Sequence, residues 1–206
     1  MSRTVSILVL CEDAQARVFI LDALEAVDPA LVSRARVIPC PGQVFREGEG
    51  GSRAVQGWTI FSCGSQHVRE NYPKLVEQRR SQEGRLRTMG CRLVVHIDVD
   101  NVGPAGRTVN DRIIELRDAC ARASIRPPDP TEPVAHLVPR RNIETWIRFL
   151  LQGPPVDEHT DYGHLPRESD ASPAAAKFGE HAARGTFPAD APPSLVTGLA
   201  ELRKVL

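Results

Sequence analysis

Leu93-Val94-Val95-His96-Ile97-Asp98-Val99-Asp100-Asn101 is the stretch on which the fold turns. Aliphatic and β-branched residues, broken only by His96, read as a buried strand, and Asn101-Val102-Gly103-Pro104 then predicts a turn. In an extended chain residues i and i+2 point to one side, so the spacing predicts that Asp98 and Asp100 share one object. Two carboxylates so close repel unless a proton or cation lies between them. A hard divalent ion satisfies that need, because it takes oxygen ligands and keeps several waters. The competing reading is that each Asp merely caps a turn at a strand end. Other strands ending in similar groups would decide between the two.

Length and composition narrow the field. A chain of 206 residues can form one sizeable domain, with or without a small appendage. Lys plus Arg and Asp plus Glu both total 26, so no net charge draws the whole molecule to nucleic acid, and anion binding requires a local patch. No apolar run approaches the roughly 18 residues of a membrane span, and Met1-Ser2-Arg3-Thr4 leads straight into an apolar run. The expectation is a cytoplasmic chain with no membrane partner. Cys11, Cys40, Cys63, Cys91 and Cys120 are odd in number and include no CxxC pair, which predicts small buried side chains in a reducing compartment.

Working outward, residues 4–10 (TVSILVL) predict a first strand, and Asp13 a helix cap before 14–27, with Val18, Leu21, Ala23, Leu24 and Val27 at helical spacing. A strand is expected at 34–39, a mobile Gly-rich loop at 41–57, an edge strand at 58–63 and a helix at about 64–88. That helix carries Arg69, Lys74, Arg79, Arg80, Arg85 and Arg87, read either as a solvated face or as a positive flank for a polyanion. After the central strand come an amphipathic helix at 107–123, a strand at 134–138 and a helix at 143–151. Residues 1–152 are thus expected to form an α/β domain with a mainly parallel sheet flanked by helices. Residues 153–206 are expected to form a proline-rich linker and a small helical C-terminal extension packing on it, with helices near 172–184 and 194–205.

Sites in open parallel sheets form beyond the carboxyl ends of the strands. Glu12 follows the first strand, Asp98 and Asp100 the central one, and Arg140, Arg141 and Glu144 the last. Four carboxylates and two guanidinium groups on one edge suit one or two divalent metals and a phosphate held by Arg forks. His96 shares the strand face of Asp98 and is expected to be packed or hydrogen-bonded rather than a ligand.

A Glu after the first strand with Asp-x-Asp after a later one resembles the Toprim domain of topoisomerases, bacterial primases and OLD-type nucleases. The segment PRRNIETW at 139–146 resembles one in small stand-alone Toprim-like proteins of bacteria, some belonging to phage-defence systems. The resemblance covers about residues 4–151. It implies Mg²⁺ or Mn²⁺ as cofactor, Glu12 as acid/base or metal-linked glutamate, Asp98 and Asp100 as metal ligands, Glu144 at a second metal, and Lys177 as a charge-stabilising lysine. Where Toprim proteins have Glu-Gly-x-x-Asp, this chain has Glu12-Asp13-Ala14-Gln15-Ala16, lacking the glycine and the second acid.

The resulting expectation is a metal-dependent nuclease cleaving phosphodiesters in DNA or RNA, its bacterial context including phage defence. Its alternative is a catalytically inactive Toprim-like module binding nucleic acid or a partner protein. A phosphatase with Asp98 as nucleophile, or a nucleotide-sugar transferase, fits less well. The first expects its Asp-x-Asp near the N-terminus, and the second needs a longer chain. DNA against RNA, the identity of a defence partner, and a monomer against a homodimer are left open.

Overall fold

A computed structural model describes residues 6–32, 35–37, 64–85, 91–100, 106–163 and 168–206. The expected Gly-rich loop, the edge strand at 58–63, Cys40, Cys63, Arg87 and the turn at 101–104 lie outside the described residues. Four strands, β1 (Ser6–Leu10), β2 (Ala35–Val37), β3 (Cys91–His96) and β4 (Val134–Leu137), form one parallel sheet in the order β2-β1-β3-β4. Helices α1 (Ala14–Val27), α2 (Pro29–Val32), α3 (Gly64–Arg85), α4 (Val109–Arg122), α5 (Ile143–Gln152), α6 (Ser172–Arg184) and α7 (Pro193–Arg203) surround it. The protein is an α/β fold.

Both faces of the sheet are covered, which is why the strands read as nearly unbroken apolar runs. Ile7, Val9, Val94, Ala135 and Leu137 face a core completed by α1, α5, α6 and α7. Leu8, Leu10, Leu93, Val95 and Val134 face a second core built with α3 and α4. The C-terminal helices lie within the first core: Phe178, Leu195, Leu199 and Leu202 are fully buried in it. Gly179 meets α1 so closely that a Cβ there would lie 2.2 Å from the Ala23 carbonyl oxygen. The outward edge of β4 is blunted by α7, since the His136 backbone N–H donates to Glu201 Oε2 at 3.0 Å.

Local signals explain the helix starts. Asp13 Oδ1 accepts the Ala16 N–H at 2.7 Å, capping α1, and Thr108 with Asp111 forms a reciprocal capping box on α4. The apolar stripe of α1 differs from the expected one: it runs through Ala16, Phe19, Ile20, Ala23 and Leu24, leaving Val18 and Leu21 at its margin. Those five fall at i, i+3, i+4, i+7 and i+8, a better match to one helix face. Cys11, Cys91 and Cys120 are buried free thiols. Among the described residues no helix is long and apolar enough to cross a membrane.

Candidate functional site

Strand order places a reversal between β1 and β3. The chain leaves β1 through α1 toward β2 on one face, and leaves β3 through α4 toward β4 on the other. Open parallel sheets form their ligand crevice at such a point, beyond the strand carboxyl ends. Glu12 follows β1 by two residues and Asp98 follows β3 by two, so the topology brings them together. Glu12 Oε2 accepts the backbone N–H of Asp98 at 2.9 Å. The pairing of β3 with β4 continues into this region, with Ile97 N–H donating to Leu137 and Val99 N–H to Pro139. Asp98 therefore stays on the first-core face of the extended chain, beside His96, whose Nε2 lies 3.1 Å from Asp98 Oδ1.

Asp98 and His96 are almost wholly withdrawn from water, and Glu12 partly. Burial, then the neighbouring Asp98 charge, pushes the Glu12 carboxyl up to about 7. Burial also raises Asp98, to about 6, although the His96 charge opposes the rise. Burial alone would lower His96, but Asp98 above all, with Asp13 and Glu12, raises it to about 9. The cluster thus holds more negative charge than its one imidazolium comfortably balances.

Asp100 does not continue the extended geometry of Asp98. Its φ is +62°, a left-handed conformation that ends the alternation. Its exposed carboxylate lies 3.3 Å from Arg112 Nη2 on α4, on the opposite side of the sheet from α1. Arg112 is a functional candidate that sequence reading missed. Buried in α4, it donates through Nε to the Asp98 carbonyl at 2.8 Å and through Nη2 to the Val99 carbonyl at 3.4 Å, while Nη1 bonds Glu115. It splints the Asp98-Val99-Asp100 turn. A signal was present: Arg112 falls four residues before Leu116 and seven before Ala119, on the helix's buried stripe.

The other predicted residues divide. Arg141 reaches the acidic turn, its guanidinium donating to the Asp100 carbonyl while its own carbonyl accepts the Asp100 N–H at 3.1 Å, and its Nη2 pairs with Asp161 Oδ2 at 2.9 Å. Arg140 is partly buried, and its Nε lacks a hydrogen-bond partner among the described residues. Glu144 is buried in the first turn of α5, where it lines a small crevice with Ile147, Arg148, Tyr162 and Gly163. Lys177 has a partner on α5. Its Nζ donates to the Leu150 carbonyl at 2.8 Å near the carboxyl end of α5, where a cation complements the helix dipole. That is six residues, about 9 Å of helix axis, beyond the level of Glu144.

Two residues of the basic helix, read as a solvated face or a positive flank, are neither. Arg79 and Arg80 are bound to Glu132, and Arg79 also to the Cys91 carbonyl. Glu132 precedes β4 and Cys91 begins β3, so these guanidinium groups stand at the amino end of the sheet, away from the acidic cluster. Ala16, where the resemblance expects a second acid, is fully buried in the first core.

The donor set fits a hard divalent cation in part. Glu12 and Asp98 offer carboxylate oxygens whose burial and crowding disfavour both charges, and His96 Nε2 already lies against Asp98 Oδ1. Among the described residues no group of three or more His, Cys, Asp and Glu side chains is arranged as a metal-ligand set. Two carboxylates with water completing the shell is a common mode for Mg²⁺. Compared with protein-family models, curated proteins and solved structures, the chain matches none. The class that fold and site define is an α/β protein with an open parallel sheet and an acidic cluster at its crossover point.

Proposed function

We propose that this chain is a Toprim-like, Mg²⁺- or Mn²⁺-dependent nuclease that hydrolyses phosphodiesters in nucleic acid. The observation that carries the reading is the docking of Glu12 on the Asp98 backbone at the crossover between β1 and β3. Glu12 and Asp98 would hold the ion, with Asp100 near enough to raise the Glu12 carboxyl further. When bound, such an ion would supply Lewis acidity toward a phosphoryl oxygen and lower the pKa of a bound water. Without an ion Glu12 is raised to about 7 by burial and the Asp98 charge, so the protein can hold a proton there where a cation would otherwise sit. Arg141 beside the Asp100 turn supplies a planar fork for a phosphate.

A specific observation favours a second reading, a catalytically inactive Toprim-like module that binds nucleic acid or a partner protein. His96 already stands against Asp98, and Arg112 against Asp100, so two of the three carboxylates have protein cations. Calorimetric titration of Mn²⁺ and Mg²⁺ into the wild type and the Asp98→Ala/Asp100→Ala variant separates the two, with plasmid and RNA cleavage read on the same samples. The nuclease reading expects binding and cleavage, both lost in the variant. A wild type that binds no divalent ion leaves only the binding module.

A further inference from the structure

Resting on the reading of Arg141 as a phosphate ligand, we propose that Asp161 is an internal stand-in for that phosphate, displaced when a nucleic-acid strand binds. Asp161 belongs to the segment between α5 and α6, a strap that returns to the acidic edge. Its Oδ2 accepts from Arg141 Nη2 at 2.9 Å, and its Oδ1 accepts from Asn142 Nδ2 at 3.2 Å and from the Gly163 N–H at 2.9 Å. A carboxylate in a fork of side-chain and backbone donors presents what a phosphate oxygen pair presents. Arg141 is fixed from its other side by the Asp100 carbonyl, so the guanidinium stays at the acidic turn whether or not Asp161 is there.

The energetics permit exchange. The Arg141–Asp161 pair is open to water, with the Asp161 side chain 55% exposed. Such exposed pairs are worth about 0–1 kcal/mol, which a strand contacting several donors can exceed. The strap has other anchors: Glu158 accepts from the Ser194 N–H at 3.0 Å and from its hydroxyl, and Tyr162 packs under Arg148. Release of Asp161 therefore frees the fork without detaching the strap from α7.

The test is fluorescence anisotropy of a labelled oligothymidylate in EDTA, which reads binding apart from cleavage. Asp161→Asn keeps a carbonyl oxygen for the Gly163 N–H and puts an uncharged amide N–H in place of the carboxylate oxygen facing Arg141. It is expected to bind up to about fivefold more tightly, the equivalent of an exposed ion pair. Arg141→Ala in the same background should erase the gain, and Glu158→Gln, which loosens the strap elsewhere, should not reproduce it. The proposal is overturned if Asp161→Asn binds no more tightly than wild type, including no binding by either, or if Glu158→Gln gives the same gain. Arg141→Ala binding as well as wild type removes the phosphate seat itself. Metal-dependent cleavage by the wild type would still support the nuclease reading in that case.

Discussion

Two charged clusters stand at opposite ends of one sheet, and their chemistry is opposite. At the amino end Glu132 accepts from Arg79 and Arg80, with Arg126 nearby. Hydrogen bonds from Arg80 lead the effects that pull its carboxyl down to about 2. At the carboxyl end Glu12 and Asp98 crowd one another and are raised to about 7 and 6, burial leading in both. The first cluster is closed: every charge has its partner, and the arrangement ties α3 to the loop before β4. The second is open in that two crowded carboxylates share one imidazolium, His96 Nε2 lying 3.1 Å from Asp98 Oδ1. Open clusters of this kind mark candidate sites because folding alone gives no return for assembling them.

Removing a carboxylate from each end is the sharpest way to break the contrast. Glu132→Ala leaves Arg79, 2% exposed, without its main counter-charge. Loss of one partner of a buried pair costs on the order of 3 kcal/mol, so a marked drop in denaturant midpoint is expected. A loss below about 0.5 kcal/mol, the range of ordinary surface substitutions, would show that the amino-end cluster is not structural.

The next effect concerns the helices that close the face on which Asp98 and His96 lie. A Cβ on Gly179 would stand 2.2 Å from the Ala23 oxygen and 3.0 Å from its carbonyl carbon, both backbone atoms that cannot swing aside. Gly179→Ala is therefore expected to lose about 1–3 kcal/mol through overpacking, against the usual gain from alanine in a helix. Thermal melting checks it. A stabilised variant would mean that α6 can slide on α1 and that this face of the site is held less firmly than the other.

Much of the fold was legible because local signals agreed with the tertiary outcome. Asp13 before a helical stripe, aliphatic runs too short for helices, and Thr108 with Asp111 each specify one local structure. The sheet-edge argument located Glu12 and Asp98 for the same reason: parallel order fixes which strand ends coincide. What sequence could not show was partnership across the chain. Nothing near Arg79 announces Glu132, which is 53 positions away, so a buried structural arginine read as part of a solvated face or a basic flank. The left-handed turn at Asp100 was equally invisible, since Asp tolerates both conformations, and it separates two carboxylates that alternation would have aligned. Arg112 was hidden by the habit of treating arginine on a helix as solvated.

The smallest effect is the most informative about the open cluster. A folded pKa above the ordinary value means that the folded state holds its proton more tightly than the unfolded chain, so stability falls as pH rises between the two values. For Glu12 that window is about 4.5 to 7, for Asp98 about 3.8 to 6, and for His96 about 6.5 to 9. All three slope the same way. Glu132 and Glu201, lowered to about 2, slope oppositely but only below their ordinary 4.5. In EDTA the protein is therefore expected to be more stable at pH 5 than at pH 8, measured by urea midpoints at both. Glu12→Gln, whose amide oxygen can still accept the Asp98 N–H, should flatten the pH 5–7 part of that slope. At pH 5 it should leave stability within about 0.5 kcal/mol of wild type. Added Mn²⁺ should raise the pH 8 midpoint of the wild type and leave the variant's nearly unmoved, because a cation bound only by the folded state restores what crowding removes. A wild type that grows more stable from pH 5 to 8 in EDTA would mean that the carboxylates are already satisfied, and the two ends of the sheet would then differ in degree rather than in kind.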